Sequence, residues 1–312
     1  MKIDILIVGG GPAGLAAAQY GARSALSVLC VEAIEFGGQA LVIDALENYP
    51  GREQSVSGFD FADEMKKQAL AFGAQLRTAN VNSICIEEDE AHVKRFNAVL
   101  DDGGKISAKA VILASGAGHR LLGVEGEELL AGRGVSYCAS CDGPFFKNKK
   151  IFVAGGGDAA CDESMFLSRI SSSITLLVRR DAFRAQQALV KRVLENPSIK
   201  VRFNTKVSAV KGQNKLETLI LEDTKTGLKT EESADALFVF AGIVPRNDLA
   251  VSFGLELDAS GFVKTDGNMQ TSVPGVFAAG DLRVSPFRQV VTAVSDGAIA
   301  AHAAAAFITE QA

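Results

Sequence analysis

The chain opens on an apolar run, Ile3 to Val8, broken only by Asp4, which reads as a buried strand. Glycines follow at once, and an alanine-rich stretch to about Ala22 reads as a helix. A second apolar run, Ser27 to Val31, ends at Glu32. The same order recurs later. Lys149-Lys150 leads into the apolar Ile151 to Ala154, glycines follow at 155 to 157, a helical stretch runs to about Arg169, and Ser173 to Val178 reads as another strand. The apolar runs Val111 to Gly116 and Ala236 to Gly242 both end in small-residue turns, which makes them natural crossing points between domains. Val276 to Asp281 reads as a short strand ending in an acid, and Gln289 to Phe307 has the composition of a helix.

Strand, glycines, helix, strand is the order of a βαβ dinucleotide unit. An ordinary helix after a glycine-rich turn would not also bring the second strand and its terminal acid. In the first unit Gly9 makes the tight turn, Gly11 lets the backbone approach a pyrophosphate, and Gly14 lets the helix pack on the strand. Pro12 and Ala13 open the helix, whose N-terminus favours anions. Glu32 arrives at the spacing of a ribose-binding carboxylate, which favours a nucleotide without a 2′-phosphate, such as FAD or NAD.

In the second unit Gly155 and Gly157 precede Asp158 and Ala159 at the helix start, with Ala160 at the third small position. Its second strand ends in Arg179-Arg180, and Arg184 follows. Guanidinium groups there suit a 2′-phosphate, so NADPH is expected rather than NADH. A solvated basic helix start is the plainer alternative. The expected fold class is therefore α/β, with two Rossmann-like, three-layer ββα dinucleotide-binding domains, the second inserted into the first. The boundaries fall at 1–116 with 246–312 for the FAD domain and 117–245 for the NADPH domain.

Between the two fingerprints lies Cys138-Ala139-Ser140-Cys141-Asp142-Gly143. A C-x-x-C alone is half a zinc site, a redox pair or chance. Its place between two nucleotide units points to a dithiol served by two cofactors. For zinc there is no second C-x-x-C, and His92, His119 and His302 stand in separate contexts. Cys30 and Cys85 fall in apolar strand-like runs and are expected to be buried. Cys161 sits near a helix start, where its pKa would be lowered unless it is packed as a spectator.

At 312 residues and 47% apolar composition the chain can build two cores. A net charge of -5 and the absence of a long basic segment argue against nucleic acid. No apolar stretch approaches the roughly 20 uninterrupted residues of a membrane span, and the first apolar run is too short for a signal peptide. A cytoplasmic protein is expected.

The motifs taken together resemble those of the low-molecular-weight thioredoxin reductases of prokaryotes, over essentially the whole length. The matching segments are Gly9 to Gly14, Gly37-Gly38-Gln39, Glu47-Asn48-Tyr49-Pro50-Gly51, Cys138 to Gly143, Gly155 to Ala160, Arg179-Arg180 with Phe183-Arg184-Ala185, Gly280-Asp281, and Arg288-Gln289-Val290 with Thr292-Ala293. The resemblance implies FAD held by the first glycine loop, Glu32, Gly38, Gln39 and Asn48, with Gly280 and Asp281 toward its ribityl and phosphate region. Arg288, Gln289 and Val290 would lie near the flavin ring. It implies a homodimer, and electron flow from NADPH through FAD and a Cys138-Cys141 disulfide to a thioredoxin-like protein. Cys141 would face the flavin, Cys138 would attack the partner disulfide, and Asp142 would manage the thiol proton. One domain would rotate against the other between half-reactions, with hinges near Gly116 to Gly118 and Gly242 to Pro245.

Val178 stands where the family often has histidine, and Arg246 precedes the asparagine expected after Pro245. The rival readings are a ferredoxin- or flavodoxin-dependent thioredoxin reductase, a dithiol oxidase on the same scaffold, or a non-catalytic redox sensor. Arg179 and Arg180 weigh against the first two.

Overall fold

The computed structural model describes residues 1–43, 45–88 and 94–311. His92 lies outside them. The chain forms two compact units, Met1–Gly118 with Val244–Ala312, and His119–Ile243.

In the first unit β1 (Lys2–Val8), α1 (Pro12–Arg23) and β2 (Val28–Glu32) make a parallel βαβ turn, and α2 (Gly58–Ala71) returns the chain to β3 (Gln75–Thr78). An antiparallel meander follows: β4 (Val81–Glu88), β5 (Lys94–Leu100) and β6 (Lys105–Leu113). β6 then lies parallel to β1, with Val111 opposite Leu6. The chain leaves through β7 (Ala117–His119).

The second unit begins with α3 (Glu127–Leu130), β8 (Val135–Ser136) and the single turn α4 (Ala139–Asp142). β9 (Ile151–Ala154), α5 (Asp158–Ser168), β10 (Ile174–Val178), α6 (Gln187–Glu195) and β11 (Ile199–Phe203) repeat the βαβ pattern. β12 (Thr205–Lys211), β13 (Thr218–Asp223) and β14 (Lys229–Ser233) form an antiparallel sheet of their own before β15 (Ala236–Val239). The parallel sheet runs β11-β10-β9-β15-β8. Its apolar strands are covered on both faces, as continuous apolar runs require. Ile151, Val153 and Phe238 face α5 and α6, while Phe152, Leu177 and Leu237 face the antiparallel sheet. Truncating the fully buried Phe152 or Phe238 to alanine would cost about 3–5 kcal/mol.

β16 (Ile243–Pro245) returns the chain and pairs with β7. α7 (Asp248–Ser252), β17 (Val276–Ala278) and α8 (Val290–Glu310) complete the first unit. β17 pairs with the C-terminal half of β6, whose N-terminal half pairs with β5. Side-chain alternation gives β1 two faces: Ile5 and Ile7 join a core with α1, α2 and α8, whereas Leu6 and Val8 join one with the meander.

Among the described residues α8 is the one helix long and apolar enough to cross a membrane. Asp296 and Gly297 interrupt it, and Ala300, Ala301 and Ala304 are fully buried in the core shared with α1. A β-carbon at Gly297 would lie 2.0 Å from the Ala13 carbonyl oxygen, so this close helix pairing requires glycine.

Candidate functional site

The first glycine loop is closed where backbone must meet backbone and open where a ligand would enter. A β-carbon at Gly9, whose φ is +107°, would sit 2.3 Å from the Ala114 carbonyl oxygen, and one at Gly14 would sit 1.8 Å from that of Gly9. At Gly11 the nearest atom is Gly38 Cα at 4.0 Å. Pro12 occupies the first turn of α1, followed by Ala13 and Gly14, whose amides belong to the group a helix leaves without intrahelical acceptors. Glu32, at the end of β2, accepts the Gly10 amide at 2.7 Å and the Ile34 amide at 3.1 Å. It lines a cleft of about 420 Å³ with Gly9, Asn80, Ser115 and Arg246. Arg246 is anchored there by its backbone: its amide donates to Gly116 at 3.0 Å and its carbonyl accepts the Ser115 hydroxyl at 2.7 Å. Asn247 turns away and donates to the Gly261 carbonyl at 2.7 Å.

Gln39 donates its side-chain amide to the Ala117 carbonyl, and Asn48 donates to Gln289 Oε1 at 3.0 Å. Gln289 caps α8 in a reciprocal box with Thr292, so the helix starts at Val290 rather than at Gln289. Gly280 takes φ +71°. Burial raises the pKa of the neighbouring Asp281, with Arg288 opposing and Asp296 adding to the shift. The Arg288 guanidinium lies over the Phe262 ring at 4.0 Å from its centroid, and its Nε is buried with no hydrogen-bond partner among the described residues. An open phosphate cradle, a carboxylate at the end of β2 and an orphaned buried donor fit a flavin dinucleotide in this unit.

The second unit has a cleft of about 470 Å³ at the C-terminal ends of β9 and β10. A β-carbon at Gly155 would lie 2.7 Å from the Phe240 carbonyl oxygen, whereas at Gly157 it would meet nothing within 4 Å among the described residues. Arg179, Arg180 and Arg184 line the cleft. The Arg184 amide donates to Gly156 at 2.7 Å, which ties the arginine loop to the glycine loop. Asp158 accepts the backbone and side-chain amides of Gln186, both at 2.8 Å, and Ala159 follows it on α5. Lys206 on β12 and Lys229 on β14 also line the cleft, with Glu222 between them at 2.9 and 4.0 Å. Three guanidiniums and two ammoniums against one carboxylate make a site for a polyanion.

In the same unit Cys138 and Cys141 are joined in a disulfide across α4, with Cα atoms 5.4 Å apart. Cys138 is half-buried and Cys141 exposed. The Cys141 amide donates to Cys138 Sγ at 3.2 Å, the Cys138 amide to the Ser136 hydroxyl at 3.1 Å, and the Asp142 amide to the Cys138 carbonyl at 3.2 Å. Among the described residues no group of three or more His, Cys, Asp and Glu is arranged to hold a metal.

Cys30 is buried, and burial foremost, with Glu32 adding, pushes its thiol up. Cys161 is buried on α5, and burial, reinforced by Asp162 and Asp158, pushes it up to about 12, the behaviour of a packed spectator. Cys85 corrects the sequence reading. It is exposed because β4, at the sheet edge, buries only Val81 and Ile84 and leaves the rest of its length in solvent.

Sequence reasoning missed Lys206, Lys229, Glu127, Arg283 and Asp296. Only Asp296 carried a signal, as a lone carboxylate inside an apolar helical run.

Two βαβ units with glycine loops and a cysteine pair define a nucleotide-dependent disulfide oxidoreductase. The chain belongs to the pyridine nucleotide-disulphide oxidoreductase family, whose model matches residues 3–297. Within it, the thioredoxin reductase of Treponema pallidum (strain Nichols) is 51% identical over 305 residues, covering 98% of this chain and 97% of its own length. That of Mycolicibacterium smegmatis is 42% identical, covering 99% and 97%. The crystal structure of Lactococcus lactis thioredoxin reductase superposes with a TM-score of 0.93 at 37% identity and covers 99% of each chain. The family implies a flavin and a nicotinamide cofactor.

Proposed function

We propose that this chain is a cytoplasmic, homodimeric NADPH-dependent thioredoxin reductase. FAD is assigned to the 1–116 and 246–312 domain, and NADPH with the redox pair to 117–245. The observation that carries the reading is the Cys138–Cys141 disulfide in the unit that holds the cation-lined cleft. Arg179, Arg180 and Arg184 suit a 2′-phosphate through paired, charge-assisted bonds. Gly155, Gly157, Asp158 and Ala159 shape the approach of the pyrophosphate. In the first unit Gly9, Gly11, Pro12, Ala13 and Gly14 cradle the other pyrophosphate. Glu32 takes the ribose, while Gly38, Gln39, Asn48, Gly280, Asp281, Arg288, Gln289 and Val290 surround the rest.

When bound, NADPH and FAD would supply the hydride transfer and the two electrons that reduce the Cys138–Cys141 disulfide. The protein's own part begins when two electrons and two protons convert the Cys138–Cys141 disulfide to a dithiol. Cys138, as thiolate, attacks one sulfur of the thioredoxin disulfide, and the other sulfur leaves as a thiol after protonation. Cys141 then attacks the mixed disulfide at Cys138, which restores the internal disulfide and releases the second thioredoxin thiol. Asp142 holds the proton that these thiols exchange. Phe145, 80% exposed in the short turn that follows α4, offers a protein partner an apolar contact. One unit rotates against the other between half-reactions. Gly116 and Gly242, with φ of +68° and +116° at the crossings, are suited to absorb the change.

The test is an anaerobic titration of the purified protein with NADPH and with NADH, followed by flavin absorbance, then turnover with thioredoxin. Bleaching by NADPH and reduction of thioredoxin are expected. An oxidised flavin that ignores NADPH would instead support the ferredoxin-fed or oxidase readings.

A further inference from the structure

The chemistry above leaves unused a buried carboxylate in the second unit. Glu127, the first residue of α3, is 1% exposed. Its Oε1 accepts the Leu122 amide at 2.9 Å and the Tyr137 phenol at 3.0 Å. Its Oε2 accepts the Gly123 amide at 2.7 Å and the Val124 amide at a weaker 3.4 Å. Burying a carboxyl group is costly unless its lone pairs are filled, and here donors reach both oxygens.

The groups that Glu127 joins have separate duties. Leu122 and Val124 form part of the wall of the dinucleotide cleft. Tyr137 immediately precedes Cys138, whose amide and carbonyl are both bonded to the Ser136 hydroxyl, at 3.1 and 3.2 Å. Leu122, Val124 and Tyr137 also pack against one apolar cluster with Phe152 and Leu237. Burial, with the Glu127 bond second, pushes the Tyr137 phenol up, so it stays a donor. Because Oε1 is shared by the Leu122 amide and the Tyr137 phenol, the cleft wall cannot shift without changing the hold on Tyr137.

We propose that Glu127 and Tyr137 are a positioning pair that ties the backbone before Cys138 to the wall of the dinucleotide cleft, so that nucleotide bound there alters the reactivity of the Cys138 sulfur. The proposal rests on the thioredoxin reductase reading above. A purely structural role would lower stability only, and rotation of the units alone would leave the nucleotide response intact when the Tyr137 phenol is removed. Coupling through a shared acceptor changes that response.

The experiment uses the full-length FAD-bound enzyme, reduced with dithiothreitol and desalted anaerobically. Alkylation of Cys138 by iodoacetamide is timed by peptide mass spectrometry with and without saturating NADP⁺. In the wild type NADP⁺ is expected to change the rate by about fivefold or more. Tyr137→Phe removes a single oxygen and is expected to lose this response with only a modest fall in melting temperature and an NADP⁺ dissociation constant within about twofold of wild type. Glu127→Gln, which keeps the shape but replaces one acceptor oxygen by a donor, is expected to lose the response and also to weaken NADP⁺ binding. A wild-type enzyme whose alkylation ignores NADP⁺, or a Tyr137→Phe enzyme with the full wild-type response, overturns the proposal alone. A wild-type enzyme that NADPH cannot drive to reduce thioredoxin removes the functional reading and this proposal together.

Discussion

Arg283 and Asp296 are joined fork to fork, Nε to Oδ2 at 2.7 Å and Nη2 to Oδ1 at 3.0 Å, and the same Oδ2 accepts the Gly280 amide at 3.2 Å. One buried carboxylate on α8 thereby holds the turn that presents Asp281. Arg283 also donates to the Thr265 hydroxyl at 3.4 Å, so its guanidinium ties α8 to a second, separate segment of the first unit.

Asp296→Ala leaves the Arg283 side chain, 18% exposed, without its counter-charge. The expected cost is about 3–5 kcal/mol, together with loosened flavin retention. Urea unfolding and the flavin-to-protein absorbance ratio after gel filtration check both effects. Wild-type values in both would refute the role.

Cys138→Ser and Cys141→Ser each remove one sulfur of the disulfide. Turnover with thioredoxin is expected to fall by roughly 10³-fold or more in both variants, while NADPH still bleaches the flavin. Stopped-flow absorbance separates the two half-reactions. Retained thioredoxin turnover in either variant would reassign the redox centre.

The backbones of Arg179 and Arg180 are pinned by Thr224 and Asn204, at 3.1 and 3.0 Å, which fixes where their guanidiniums emerge. Replacing either by glutamine removes charge-assisted bonds worth about 1.5–3 kcal/mol. The KM for NADPH should rise by about 10- to 100-fold with the NADH value little changed. Equal losses with both nucleotides would mean that the arginines do not read the 2′-phosphate.

Burial alone would raise the pKa of Asp4, but hydrogen bonds from Lys109 and Ser27 outweigh it and bring the carboxyl from 3.8 down to about 2. The bonds are 2.7 Å to Lys109 Nζ, and 2.6 and 2.9 Å to the Ser27 hydroxyl and amide. Because the folded pKa lies below the unfolded one, this stabilisation is complete above about pH 4 and is lost as the pH falls through about 2. Asp4→Asn should therefore be less stable than wild type near neutrality, and the gap should close across that window. Urea midpoints measured as a function of pH test this, and a gap independent of pH would contradict it.

Native alkylation should label Cys85, whereas Cys30 and Cys161 should react only after denaturation. Burial keeps the Cys161 thiol at about 12, far from thiolate at neutral pH. Peptide mass spectrometry reads each site, and rapid native labelling of Cys161 would show that the α5 packing opens.

The local grammar was legible because it is steric and short-ranged. Gly14 is demanded by a contact with the Gly9 carbonyl within one strand-turn-helix, Glu32 and Arg179-Arg180 stand at strand ends that the apolar runs already marked, and Cys138 and Cys141 span one helical turn. Both α/β units could therefore be read from the order of runs and glycines. Cys85 could not, because an apolar run does not reveal that its strand lies at a sheet edge.

The sequence by itself determined the two glycine loops, the acid and the arginines that follow them, and the cysteine pair. Tertiary structure alone decided that Lys206 and Lys229 reach the arginine cleft from a separate antiparallel sheet, that Glu127 closes on Tyr137, and that Asp296 meets Arg283. These partners are distant in sequence or reversed in direction, and no periodicity records which strands will lie side by side. Their meeting is fixed only when burial of the apolar runs sets strand order and register, and the polar groups carried along must then find one another.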